Sequence, residues 1–208
     1  MGFSGYFSRQ AQNPFGWFGR LVMSRVFNYG NTVLNGMVKE LLSVQRDDQI
    51  LEIGFGTGKL ISELLPLLDQ GQIHGIDTSD TMFAMARKTN IKGLADGRVK
   101  LWHGRFEDMA CDDGAYDTVI SVNTIYFWGK PNIAVNKIFR VLKPGGKLIL
   151  GFEDQVQMES KLISKDVFRI YSTDEVKDML TVAGFDRDIN IASQTRKNMI
   201  YHCAVAVK

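Results

Sequence analysis

An acid followed by glycines at every second position, Glu52-Ile-Gly54-Phe-Gly56-Thr-Gly58, is the stretch whose residue types and spacing most constrain chemistry. The apolar run before it reads as a strand and the residues after it as a helix, so the glycines occupy a strand–helix turn. Glycine lets such a turn reach positive φ and lets a ligand approach the backbone with no Cβ in the way. Ligands of open α/β sheets bind outside the carboxyl ends of the strands, where this turn falls. Spacing excludes two phosphate-binding patterns. A P-loop ending at Gly58-Lys59 requires glycine at 53 and Ser or Thr at 60, and the chain has Ile53 and Leu60. The dinucleotide fingerprint G-x-G-x-x-G starting at Gly54 requires a third glycine at 59, where Lys59 stands.

The frame that must hold this loop is legible from periodicity. Short runs rich in Ile, Val and Leu recur at residues 49–53, 72–76, 99–103, 118–122 and 147–152. Helical stretches fall between them at residues 59–69, 80–91 and 131–142. Alternation of near-continuous apolar strands with helices predicts a parallel sheet covered on both faces, with right-handed crossovers. Ser172-Thr-Asp-Glu175 is a capping sequence for a helix running to Val182, which Gly184 stops. Residues 185–192 and 200–207 read as two more strands, joined by the polar residues 193–198. That hairpin ends the sheet with an antiparallel strand.

Ahead of residue 47 the pattern is helical only. Residues 14–28 and 31–42 read as two helices separated by Tyr29-Gly30, the second carrying Val33, Leu34, Met37, Val38, Leu41 and Leu42 on one face. Eight of the 22 aromatic residues lie in the first thirty. Such a stripe is ordinarily packing. The sharper alternative is a lid over a ligand, with Gly2, Gly5, Gly16, Gly19 and Gly30 as joints. The chain is accordingly divided into an N-terminal helical lid or cap, residues 1–46, and a ligand-binding domain, residues 47–208.

Composition narrows the function classes. The 208 residues are 45% hydrophobic and 23% charged, with 20 Gly and only 4 Pro, which excludes a disordered or collagen-like chain. Twenty-five Lys+Arg against 23 Asp+Glu leave +2, so no global field draws in a polyanion and no nucleic-acid partner is expected. Cys111 and Cys203 are far apart, and His74, His103 and His202 are scattered, so neither a zinc site nor a disulfide framework is expected. The N-terminus lacks the order of a signal peptide, and no apolar run approaches the ~20 residues of a membrane span. These features describe a reduced, cytoplasmic domain.

From the glycine loop onward the sequence resembles the class I S-adenosylmethionine-dependent methyltransferases, well over residues 48–152 and loosely elsewhere. The resemblance rests on landmarks in the family's order. The loop is followed by Ile73-His-Gly-Ile-Asp77, Thr78-Ser-Asp-Thr-Met82, Gly104-Arg-Phe-Glu-Asp108, Tyr116-Asp-Thr-Val-Ile-Ser-Val-Asn123 and Val141-Leu-Lys-Pro-Gly-Gly-Lys147. It implies a Rossmann-like doubly wound α/β sheet of seven strands, mostly parallel with an antiparallel C-terminal strand, and S-adenosylmethionine as cofactor. It places Glu52, Gly54, Gly56, Gly58, Asp77, Thr78, Met82, Arg105, Phe106, Glu107 and Asn123 around that cofactor. In this reading Asp77 holds the ribose hydroxyls and Met82 lies against the adenine. Glu52, an acid inside an apolar strand and costly there unless partnered, meets the cofactor's ammonium directly or through the loop. Asp77 taken alone is also an ordinary turn or cap residue.

One position departs from the family. Many relatives carry Asp where this chain has Arg105 and use it to accept from the adenine amino group, which a guanidinium cannot do. Backbone atoms of Arg105 and Phe106, or the carboxylate of Glu107, inherit that task. Methyl transfer from a sulfonium is an in-line displacement in which charge disappears, so alignment and exclusion of water carry the catalysis. A general base is needed only where the acceptor must lose its proton early. Tyr126, His103 and Tyr171 are each as readily structural, and no catalytic residue is assigned. Asn123-Thr-Ile-Tyr-Phe-Trp128 places Tyr126 and Trp128 in a substrate pocket, with Tyr29 on the lid. Asn123 and Tyr126 share the spacing of the Asn-Pro-Pro-Tyr motif of amino-group methyltransferases acting on macromolecules, but both prolines are absent. The general resemblance is to small-molecule enzymes of the ubiquinone/menaquinone-biosynthesis type, which implies a small-molecule methyl acceptor. A non-catalytic S-adenosylmethionine-binding module and a macromolecular amino-group methyltransferase are the alternatives. Oligomeric state is not legible.

Overall fold

A computed structural model describes residues 24–160, 169–186 and 188–208, with side chains described from Asn31 onward apart from Ser160. The helix proposed for residues 14–28 lies mostly outside the described residues, as does the side chain of Tyr29. The elements in chain order are α1 (Ser24–Leu41), β1 (Gln49–Ile53), α2 (Lys59–Leu64), β2 (Gln72–Asp77), α3 (Asp80–Thr89), α4 (Ile91–Ala95), β3 (Val99–His103), β4 (Tyr116–Val122), α5 (Pro131–Val141), β5 (Leu142–Glu153), α6 (Gln155–Ser160), α7 (Thr173–Val182), β6 (Asn190–Arg196) and β7 (Met199–Val207). Short 3-10 turns sit at Leu65–Leu67, Phe106–Asp108 and Ile125–Phe127.

The seven strands form one sheet in the order β3-β2-β1-β4-β5-β7-β6. Strands β1 to β5 run parallel and β7 runs antiparallel to both β5 and β6. The order reverses between β1 and β4, and such a switch point opens a crevice at the carboxyl ends of the strands. Each face of the sheet is covered, which is why the central strands carry apolar residues on both sides. On one face Leu34, Met37 and Val38 of α1 and Leu60, Ile61 and Leu64 of α2 pack on Ile50, Ile73, Ile120 and Ile149. On the other, Val135, Ile138 and Val141 of α5 and Val176 and Leu180 of α7 pack on Leu51, Val119, Leu148 and Leu150.

Several boundaries differ from the sequence expectation, each for a local reason. Tyr29-Gly30 does not break a helix, and α1 runs through it without interruption. The helix expected over residues 59–69 tightens into the 3-10 turn at Leu65–Leu67, where Pro66 occupies the first turn. The helix expected over residues 80–91 divides at Asn90, whose buried Nδ2 donates to the carbonyls of Gly58 (2.9 Å) and Ala86 (3.0 Å). The predicted strand at 185–192 begins only at Asn190 and runs to Arg196, so most of the supposed polar linker is strand. It is an edge strand, exposed along much of its length, and its polarity follows from that position. A two-residue turn, Lys197 (φ 47°) and Asn198 (φ 63°), then reverses the chain, and its paired positive φ values match the twist of a hairpin. The capping box at Ser172 and Glu175 forms as expected.

Candidate active site

The crevice at the switch point is a cleft of about 520 Å³ lined by the ends of β1, β2 and β4, the turns after them and after β3, and Asn31 and Asn35 of α1. The glycine loop forms one wall, and each glycine does something different. Gly54 has φ 75°, and a Cβ there would fall 2.2 Å from Thr124 Cγ2, so only glycine lets the loop cross the end of β4. Gly56 has φ 53° with open space where a Cβ would stand, so it leaves its backbone bare toward the cleft. Gly58 does not line the cleft. Its φ of 70° and its contacts with Asn90 and Ala86 make it the residue that packs α2 on α3.

Asp77 ends β2 with both carboxylate oxygens engaged by backbone. Oδ2 accepts from the Gly56 N–H at 2.9 Å and Oδ1 from the Ser79 N–H at 2.8 Å. Burial pushes its carboxyl up to about 6, partly opposed by those N–H donors. One strand away, Glu52 is buried and is paired in register with Gly75 of β2 and Ile120 of β4. Its carboxyl is raised well above the ordinary value, first by burial and then by the charge of Asp77. Glu52 Oε2 is buried with no hydrogen-bond partner, an arrangement that a cationic donor in the cleft would relieve.

The other expected contacts divide. Thr78, Met82, Arg105, Phe106, Glu107, Asn123 and Trp128 all line the cleft. Tyr126 does not. Its ring is buried behind the wall, where its hydroxyl accepts from the Glu153 N–H at 2.5 Å and donates to Asn123 Oδ1 at 3.4 Å. Burial drives its phenol far above the usual range, which suits a structural hydrogen bond rather than proton transfer. His103 and Tyr171 also lie off the cleft lining. His103 Nε2 is 3.0 Å from the carbonyl oxygen of Thr78 and Tyr171 is buried.

Sequence reading missed two residues on the opposite wall, Asn31 and Asn35 of α1. Asn123 holds a left-handed backbone (φ 56°) at the end of β4, and its Nδ2 donates to Asn31 Oδ1 at 2.7 Å. Asn is among the few residues that tolerate that conformation. The only available signal was the i,i+4 spacing of Asn31 and Asn35 on α1, a helix that carries other polar residues as well. No group of His, Cys, Asp and Glu among the described residues is arranged to hold a metal ion. No helix among them is long and apolar enough to cross a membrane.

Comparison with known proteins identifies the family. Residues 51–150 match the family model described as a methyltransferase domain. The chain is 33% identical over 179 residues to the uncharacterized methyltransferase YdaC of Bacillus subtilis, covering 86% of this chain and 93% of that one. The chain belongs to the S-adenosylmethionine-dependent methyltransferases of class I. Solved structures share the fold. A methyltransferase from Thermotoga maritima, described as a possible histamine N-methyltransferase, superposes with a TM-score of 0.69 at 22% identity, covering 97% of this chain and 98% of that one. Phosphoethanolamine N-methyltransferase 2 of Haemonchus contortus, in complex with phosphomonomethylethanolamine and S-adenosylhomocysteine, gives 0.73 at 17% identity, covering 89% of this chain and 57% of that one. The cofactor of this methyltransferase is S-adenosylmethionine. The orphaned Glu52 Oε2 and the bare Gly56 backbone are features that such a group, with its ammonium and close-lying chain, would fill.

Proposed function

We propose that this methyltransferase acts on a small-molecule acceptor, with Glu52, Gly54, Gly56, Asp77, Thr78, Met82, Arg105, Phe106, Glu107 and Asn123 around the cofactor. When bound, S-adenosylmethionine supplies a sulfonium methyl group open to in-line attack. The chain's own residues then have to bind, orient and exclude water. Glu52 meets the positive charge of the cofactor's amino acid end, and its ionisation is favoured by that contact. Asp77 keeps lone pairs available to ribose hydroxyls while its N–H contacts fix the glycine loop. Gly58 belongs to the supporting layer rather than to the contact surface.

The observation that carries the reading is the shared lining of one cleft. The cofactor loop occupies one side, and Asn31, Asn35, Phe127 and Trp128 the other. Amides and aromatic faces orient a small acceptor without supplying a base. Alignment and desolvation are therefore the proposed source of rate. The N-terminal residues are proposed as a cap, with Tyr29 on the acceptor side. Asn31 and Asn35 support this, since they bring the middle of α1, part of that segment, to the cleft. The names of the two solved neighbours point the same way, because both specify small nitrogenous acceptors. A cytoplasmic location is part of the proposal, supported by two free cysteines.

Isothermal titration with S-adenosylmethionine, S-adenosylhomocysteine and NADH tests the site, followed by an acceptor screen with cofactor labelled at the methyl group. Saturable binding of the first two without NADH, and label transfer to a small acceptor, is the expected result. Transfer only to nucleic acid or protein would overturn the small-molecule reading.

A further inference from the structure

Lys137 lies on α5, outside the cleft, and is buried. An ammonium has three donors and no acceptor, and here all three have partners. Nζ donates to the carbonyl oxygens of Phe106 (2.6 Å), Glu107 (2.9 Å) and Met109 (2.5 Å). The same ammonium stands 4.9 Å from the centroid of the Phe106 ring, within cation–π range. One side chain thus clamps the whole turn after β3. One turn earlier on the same helix, Ala134 lines the cleft, so α5 supports the turn from directly beneath.

The clamp decides which atoms of that turn remain available to a ligand. The Phe106 carbonyl also accepts from the Met109 N–H at 3.1 Å, which fills both its lone pairs. The Arg105 carbonyl accepts from the Asp108 N–H at 3.1 Å. The Arg105 guanidinium has no acceptor, and Asp108 is exposed and does not line the cleft. Glu107 does line it, and its side chain is 17% exposed. Its contact with Arg105 Nη2, at 3.4 Å, is long, so the carboxylate retains capacity to accept.

We propose that Lys137 is a positioning residue that holds the carbonyls of Phe106, Glu107 and Met109 and leaves the Glu107 carboxylate to accept from the adenine amino group of the cofactor. Arg105, where relatives place an accepting Asp, is thereby compensated two residues on. The proposal rests on S-adenosylmethionine occupying the cleft.

The test compares S-adenosylhomocysteine with S-inosylhomocysteine, in which a carbonyl replaces the amino group, by titration against folded protein. The wild type should prefer the adenine ligand by tenfold or more. Glu107→Gln can donate to that carbonyl, so the preference should fall by about tenfold with the thermal midpoint little changed. Lys137→Met should also shift the preference toward unity, although Glu107 is intact. A purely structural lysine would weaken both ligands equally and leave their ratio at the wild-type value. Should Lys137→Met not fold, Lys137→Arg keeps the charge but presents a planar fork that cannot reach three carbonyls, and the ratio should shift in it too. An unchanged ratio in Glu107→Gln, or in every folded Lys137 variant, overturns the proposal alone. Failure of wild-type protein to bind S-adenosylhomocysteine removes the cofactor assignment as well.

Discussion

The Gly56 N–H donates to Asp77 Oδ2 at 2.9 Å, which ties the middle of the glycine loop to the tip of β2. The acid proposed to hold the ribose therefore also fixes the loop that passes beside the cofactor. Removing it loses both functions together. Asp77→Ala should weaken S-adenosylhomocysteine binding by more than tenfold, as read by calorimetric titration of the folded variant. Wild-type affinity in that variant would remove Asp77 from the site.

The same carboxyl makes binding pH-dependent. Burial raises Asp77 from 3.8 to about 6, so the folded protein favours its neutral form. Its contribution to the stability of the free protein is complete below 3.8 and is lost as pH rises through about 6. Ribose hydroxyls favour the ionised form, so binding has the opposite demand. Affinity for S-adenosylhomocysteine should climb with pH by up to about tenfold per unit below 6 and flatten above it. In Asp77→Asn the climb should shrink to whatever Glu52, also raised by burial, contributes. Titrations at several pH values between about 5 and 8 decide this. A flat wild-type profile would contradict it.

What was legible in the sequence was local. Strands β1 and β3 fall where apolar runs placed them. For β1 the reason is burial, because a buried parallel strand must be apolar on both faces, whereas β3 is a largely exposed edge strand. The turns holding Gly56 and Asp77 followed from glycine spacing and an acid at a strand end. What was illegible depended on distant partners. The polarity of β6 describes an edge position that only the strand order reveals. Lys137 reads as one more helical cation until the turn after β3 is folded over it. Asn31 reaches the cleft only because α1 crosses the sheet beside β4 and meets Asn123.

Gly56 and Gly58 look equivalent in sequence and should behave differently when changed to alanine. Both hold left-handed backbone, which costs an L-residue roughly 1–2 kcal/mol. At Gly58 the new Cβ would also lie 2.5 Å from Asn90 Nδ2 and 2.8 Å from the Ala86 Cβ. Gly58→Ala should therefore lose about 1–3 kcal/mol more than Gly56→Ala in denaturant unfolding. Gly56→Ala, with open space toward the cleft, should show the larger loss of cofactor affinity relative to its loss of stability. Equal stability losses would mean that α2 and α3 shift apart without cost.

Tyr126 distinguishes a support from a catalyst. Its hydroxyl accepts from the Glu153 N–H and reaches Asn123 Oδ1, and its ring is buried. Tyr126→Phe deprives the Glu153 N–H of that acceptor and should lower stability by about 1–3 kcal/mol. Because burial holds the phenol far above its ordinary value, it stays protonated through the working range and cannot act as a base there. Once an acceptor is found, the pH profile of Tyr126→Phe should keep the wild-type shape even where its amplitude falls. A missing alkaline limb in the variant would restore Tyr126 to a role in proton transfer.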